Sequence, residues 1–359
     1  MRKNNPLFGL LSSAFVILFS TFGLFLLLSF KGDPYALASV KKPDTHPQSP
    51  SDLIGKEEKE DRMERALEFY KLGEQYSQKG KVNEAIEEYR KALRMDPNFA
   101  EAHLNLGWSY ALKKNDYGIA LQETLEAIRL KPDLKVAYRN LWWIYRLQKN
   151  YEKALDTLKK IVQLEPDNAI NYLNLGDAYV SDTRDFKLAV QSYKKGLDLD
   201  PNNIYIHRKL GKVYEFEKRY DLAIEEYKKA AQLRPMDPYT FLFWAVSLGK
   251  AGRQMEIPPI MKNAVKTISE GLSTSDRWDI DLLKYFAGEI SESNLFAKAR
   301  DFPIHRCQAL YYSGLKHAWE GEKSKGIEFL TECQSMDIDA LSEYEYSRTE
   351  LYLLNKSKP

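Results

Sequence analysis

Three asparagines recur in step: Asn105, Asn140 and Asn174, each directly before a leucine. A carboxamide offers a donor and an acceptor together, which suits the backbone of an extended peptide. Basic residues stand beside them. Arg139 and Arg208 precede Asn140 and Lys209, Lys209 takes the asparagine's place in the next copy, and Lys212 follows. Trp108 and Trp143 lie three residues after Asn105 and Asn140. Rings of this kind are common anchors for a bound chain. Together, Asn105, Trp108, Arg139, Asn140, Trp143, Asn174, Arg208, Lys209 and Lys212 are the candidate peptide-binding surface; bonds from the asparagines to a neighbouring helix and rings packed between units are the alternatives, and a preference for an acidic or C-terminal carboxylate at the Arg208–Lys212 end is left open.

Other chemistry finds little support. The five histidines, His46, His103, His207, His305 and His317, show no metal-ligand spacing. His103 and His207 stand where other copies have Phe69, Tyr138 and Tyr172, so packing is the expected role. The nucleophile elbow, the phosphate-binding P-loop and the dinucleotide fingerprint are all missing from the sequence. Cys307 and Cys333 form no Cys-x-x-Cys pair, and zinc is not expected. No catalytic residue, cofactor or metal is expected. Net charge is +2, from 53 basic and 51 acidic residues, which gives no reason to expect nucleic acid.

The elements that position these residues repeat. Leu72-Gly73, Leu106-Gly107, Leu141-Trp142, Leu175-Gly176 and Leu210-Gly211 recur every 34 or 35 residues. Tyr76, Tyr110, Tyr145, Tyr179 and Tyr214 follow each pair, then Ala85, Ala120, Ala154, Ala189 and Ala223. Pro97, Pro132, Pro166, Pro201 and Pro235 close the copies. Leucine and tyrosine stripes four apart bury one face of a helix, small residues let helices cross closely, and proline stops the second helix. Helix pairs stacked in a row bury what a single pair cannot. The extra residue of the two longer copies falls between Tyr110 and Ala120 and between Tyr179 and Ala189, in the turn.

One copy departs. Trp142 replaces the glycine, Ile161 stands where others have Ala or Gly, and Leu158 stands where three others have Tyr. Two enlargements and one reduction point to a repacked contact with a buried Trp142, beside a Trp143 that faces the binding surface.

This pattern resembles the tetratricopeptide repeat (TPR). The resemblance implies an all-α solenoid in which the first helix of each unit, helix A, lines a concave groove. Five units are expected, 66–99, 100–134, 135–168, 169–203 and 204–237, within a 62–237 array. A degenerate unit and helical connector would fill 238–306, with Pro258-Pro259 interrupting a helix. A final TPR-like unit with a capping helix would occupy 307–356. The basic row partly resembles the carboxylate clamp of chaperone-binding TPR domains, but Trp143 stands where that clamp needs an asparagine. Docking of cytosolic chaperone tails is therefore not expected.

The segments RWDIDLLKYFAGEISESNLFAKA (277–299), YYSG (311–314) and SEYEYSRTELYLL (342–354) resemble the tail of the NlpI family of bacterial TPR lipoproteins. That resemblance rests most on Trp278, Gly288, Ile290, Ser291, Gly314, Gly321, Glu343, Tyr346, Glu350 and Leu351. It implies a periplasmic scaffold docking proteases and cell-wall hydrolases. No lipid-bearing cysteine follows the N-terminal apolar run here, and more repeats precede the tail.

The N-terminus reads as something else. Leu7–Phe30 carries no charge in 24 residues. At about 1.5 Å per residue, such a helix is long enough for a bilayer core of about 30 Å. Residues 1–30 are expected as an uncleaved membrane anchor, with a cleaved signal peptide ending near Ala36-Leu37-Ala38 as the alternative. Residues 31–61, with Pro34, Pro43, Pro47 and Pro50, are expected as a linker. The short basic tail favours a body outside the cytoplasm. The expected function is a membrane-tethered scaffold for protein or peptide partners in a bacterial envelope. A cytoplasm-facing assembly factor and a non-catalytic subunit of an enzyme complex remain alternatives, and homo-oligomerisation is left open. The two cysteines are expected as separately packed thiols, with a disulfide as the less common outcome.

Overall fold

Helix follows helix throughout the computed structural model, which describes residues 50–114, 116–271, 277–336, 338 and 342–356. The apolar run 7–30 lies outside these residues. Among the described residues no helix is long and apolar enough to cross a membrane.

The array begins with α1 (Pro50–Gln78) and α2 (Val82–Met95), then α3 (Ala100–Lys114) and α4 (Tyr117–Leu130). α5 (Lys135–Leu147) pairs with α6 (Tyr151–Leu164), α7 (Ala169–Ala178) with α8 (Phe186–Leu199), and α9 (Ile204–Phe216) with α10 (Tyr220–Leu233). Then come α11 (Pro238–Lys250), α12 (Ile257–Gly271), α13 (Trp278–Phe286) and α14 (Glu292–Ala299). α15 (Pro303–Trp319) and α16 (Lys323–Ser335) form a last hairpin, and α17 (Ser342–Lys356) packs on both.

Two expectations about proline give way. α1 starts at Pro50, so residues 50–61 are helical rather than linker. Proline is tolerated at a first helical position, and the Lys/Glu-rich run behind it favours helix. Pro258-Pro259 likewise does not interrupt α12, but lies in its first turn. The amides that proline lacks have no helical partner there in any case.

The core is a string of local clusters, as stacking of short units requires. One joins α1–α4 through Tyr70, Tyr89, Leu106 and Tyr110. Another joins α5–α7 through Trp142, Leu158, Ile161 and Leu175. A third holds Tyr193, Leu210 and Tyr227. The largest extends from Ile224 to Leu351 and takes in α11–α17.

The glycines of helix A have a specific neighbour. A Cβ added at Gly73 would lie 2.6 Å from the Tyr89 ring, and one at Gly211 would lie 2.9 Å from the Tyr227 ring. Gly176 meets the Tyr193 ring in the same way. The unit built on α5 and α6 reverses the sizes. Trp142 stands at the glycine position and Leu158 at the tyrosine position, and both are buried, at 9% and 1% exposure. The buried Trp142 expected from the sequence is present. In α15, a Cβ added at Gly314 would lie 3.0 Å from Leu330, which repeats the glycine contact.

The extra residue of the fourth unit is absorbed as a π-helical turn, Tyr179–Thr183, ended by Arg184 at φ 54°. Packed faces on both sides keep their register.

Cys307 and Cys333 correct an expectation. They form a disulfide between α15 and α16, with Cα atoms 4.8 Å apart. Both residues are fully buried. The contact at Gly314 brings the two helices close enough for their thiols to meet.

Candidate functional site

The expected site residues lie on successive A helices: α3, α5, α7 and α9. Within α5, Asn140 and Trp143 are three apart and share one face, and Arg139 sits beside them. The same arrangement places Asn105 and Trp108 on α3 and Lys209 and Lys212 on α9.

The asparagines differ in what they touch. Asn105 donates through Nδ2 to the Tyr70 hydroxyl of α1 at 3.0 Å, and Tyr70 donates to Glu74 at 2.9 Å. Asn105 thus ties its unit to the preceding one. Asn140 and Asn174 are half-buried, and neither carboxamide has a hydrogen-bond partner among the described residues. Trp108 is half-buried against the first cluster. Trp143 is half-buried, with its ring 5.1 Å from that of Trp142.

All four cations are engaged within the chain. Arg139 pairs with Glu165 at the end of its own unit. Arg208 reaches Asp237 at 2.9 Å, with its guanidinium 5.2 Å from the Phe243 ring. Lys209 bridges to Asp177 of α7 at 3.0 Å, and Asp177 also accepts from the Tyr193 hydroxyl at 2.6 Å. Lys212 donates to Glu215 at 2.9 Å. Each cation of the row thus has an acidic partner within the chain.

His103 and His207 perform one structural task in two units. Each Nδ1 lies 2.6 Å from a helix-B carboxylate, Glu123 or Glu226. Each Nε2 lies 3.0 Å from the carbonyl of the proline that closes the preceding unit, Pro97 or Pro201. Tyr138, at the same position, donates to the Pro132 carbonyl at 3.1 Å. Burial acts to lower both histidine pKa values. The carboxylate and carbonyl bonds outweigh it and hold them above the ordinary value.

Pattern reading missed a buried ionic cluster. Glu215 of α9 accepts from Lys212 and, at 2.6 Å, from Ser247 of α11. Lys250, at the end of α11, donates to Glu350 of α17 at 2.5 Å. Burial pushes the Glu215 pKa up, but Lys212, Lys250 and the Ser247 bond outweigh it and hold the carboxyl below its usual range. Lys250 is likewise disfavoured by burial, yet Glu350 and Glu215 hold its pKa above the ordinary lysine value. The signal available in the sequence was register. Lys250 falls where α5 and α9 end in Leu147 and Phe216, although α1 ends there in the polar Gln78.

Two repeat families match the chain. "TPR repeat" matches residues 73–113, 144–182 and 185–215, and "Tetratricopeptide repeat" matches 209–236. The chain carries TPR repeats. Among solved structures, a MamA protein is 26% identical, with 47% of this chain covering 92% of that one at a TM-score of 0.44. YrrB, titled a TPR protein with an unusual peptide-binding site, is 18% identical, with 54% covering 97% at 0.44. Pseudomonas aeruginosa pilF is 22% identical, with 64% covering 100% at 0.46. No curated protein matches the sequence. In the TPR units of this chain, the face bearing Asn140 and Asn174 begins with Val136 and Ile170, which are 36% and 52% exposed. Tyr205 of α9, at the same position, is 53% exposed.

Proposed function

We propose that this chain is a membrane-tethered, non-catalytic scaffold that holds extended peptides of partner proteins against its A helices, outside the cytoplasm. The observation that carries the reading is the pair Asn140 and Asn174. Two half-buried carboxamides on neighbouring A helices have no hydrogen-bond partner among the described residues. Partly desolvated polar groups gain from a ligand that satisfies them. An extended backbone does so at two successive sites. The exposed Val136, Ile170 and Tyr205 offer apolar support for its side chains. Because Arg139, Arg208, Lys209 and Lys212 are already neutralised, the preferred ligand is an uncharged, apolar-rich strand rather than an acidic tail.

Two features support the compartment. The uncharged run 7–30 is long enough to cross a bilayer. The Cys307–Cys333 disulfide is of a kind that persists in oxidising surroundings. The NlpI-like tail supports an envelope role with proteases or cell-wall hydrolases as partners.

Random decapeptides panned on the full chain test the groove. Selected peptides should bind a chain carrying Asn140→Ala and Asn174→Ala about tenfold more weakly or worse, with helicity unchanged. Equal binding by the double variant overturns the groove. Protease added to intact cells and to spheroplasts tests the compartment: a body outside the cytoplasm is cut only in spheroplasts, and protection in both overturns it.

A further inference from the structure

The last residues of α5, α9 and α11 share one position along the array. Leu147 ends α5 and Phe216 ends α9, each 42% exposed. Lys250 ends α11 at the same position, yet its side chain is only 14% exposed. α17 covers it, through a carboxylate 100 residues further along the chain.

Four described residues mark the face that α17 turns inward. Ser347, Glu350 and Leu351 are buried and Leu354 packs on the core, whereas Tyr352 is 58% exposed. The spacing 347, 350, 351, 354 is that of an amphipathic helix laid on a surface. At its centre an ion pair stands beside the apolar contact of Leu351. A well-packed apolar cap generally holds at least as strongly as a buried ion pair, so stability alone gives little reason for Lys250 and Glu350.

The charges beneath explain how the seat could stand empty. Lys250 lies within electrostatic reach of two carboxylates, Glu350 above and Glu215 below, and Glu215 also holds Lys212. With α17 in place, two lysines face two carboxylates. With α17 away, Lys212 and Lys250 share Glu215, so neither is stranded, and the seat keeps one net positive charge. Phe216, at the same position of the preceding A helix, is exposed beside the seat's Lys212.

We propose that the Lys212–Glu215–Lys250 seat is a docking site for a helix, filled by α17 in this structure, and that it takes in exchange an amphipathic helix of a partner protein carrying a carboxylate followed by an aliphatic residue. The template is Glu350-Leu351 itself. α17 is then a displaceable latch, and the partner's helix lies in a groove in the manner of other helix-binding surfaces. The asparagine row takes no part.

A fluorescent peptide with the sequence of residues 342–356 is the probe, and the full chain is the receptor. The unaltered chain, its seat filled, should bind the peptide weakly. The chain carrying Glu350→Lys, whose own helix is repelled by Lys250, should bind it at least tenfold more tightly. Peptide carrying Glu350→Gln should lose that gain, as should a chain that also carries Lys250→Met. Adding Asn140→Ala and Asn174→Ala should leave capture unchanged, which separates this site from the peptide row. Circular dichroism checks each variant, and the milder Glu350→Gln chain replaces Glu350→Lys if the latter unfolds. A folded Glu350 variant that ignores the peptide overturns the proposal. Capture that persists equally with Lys250→Met overturns it too.

Discussion

Trp142 and Leu158 exchange the sizes that glycine and tyrosine hold in three other units. Gly73 faces Tyr89, Gly176 faces Tyr193 and Gly211 faces Tyr227. In the third unit the large ring comes from helix A and the smaller side chain from helix B, and both are buried. One ring per contact is thus kept, supplied from the opposite side. Interiors tolerate such swaps when total volume is held.

Trp142→Gly should therefore open a cavity and destabilise the chain by about 3–5 kcal/mol, the range for truncating a large core ring. Adding Leu158→Tyr should recover part of that loss by rebuilding the Gly–Tyr contact of the other units. Urea unfolding of the single and double variants measures both. Trp143→Ala, one residue away and only half-buried, should cost clearly less. A double variant no more stable than Trp142→Gly alone would refute the exchange.

The histidine bonds make stability depend on pH, with a defined sign. Each imidazole faces a carboxylate through Nδ1 and a carbonyl through Nε2, and neither of those oxygens can donate. Both ring nitrogens must donate, so the folded state favours the charged form and raises the pKa above the ordinary 6.5. A raised pKa means stability that is fully present below about pH 6.5 and is lost as pH rises through the folded value. The chain should unfold at higher urea at pH 6 than at pH 8.5. His103→Gln with His207→Gln should flatten that difference. Glu226, which the His207 and Lys229 bonds hold below the usual range against the effect of burial, stays ionised across this window.

The repeat was legible because its determinants are local and periodic. Leu-Gly, Tyr, Ala and Pro at fixed distances specify two helices and their crossing without reference to distant chain. Placing Asn140, Asn174 and Trp143 on A helices needed only that period. What the period does not contain is which side chains reach each other. Asn105 shares its register with Asn140 and Asn174, yet Tyr70 lies within its reach. The pairs Arg139–Glu165 and Arg208–Asp237 join residues near the two ends of a unit, a geometry set by the angle between helices. Lys250–Glu350 spans 100 residues and has no local signature. Pro258-Pro259 suggests a break because proline disrupts a helix interior, whereas its effect depends on distance from the helix start.

The cysteines give the last prediction. Cys307 and Cys333 are paired, and both are fully buried between α15 and α16. Purified without reductant, the folded chain should react with no thiol reagent, and after denaturation it should still show none until reduced. The cross-link closes the α15–α16 hairpin, so reduction should destabilise that region by about 2–4 kcal/mol. Hydrogen exchange would register the loss in α15 and α16 first. α17 rests on the same hairpin and should loosen with it. Cys307→Ala with Cys333→Ala should mimic the reduced chain and become insensitive to reductant. The same chemistry reports the compartment. A body in the envelope should carry the bond when cells are quenched with acid before lysis, because thiols are readily oxidised there. Two free thiols recovered from quenched cells would count against both the pairing in vivo and the extracytoplasmic reading.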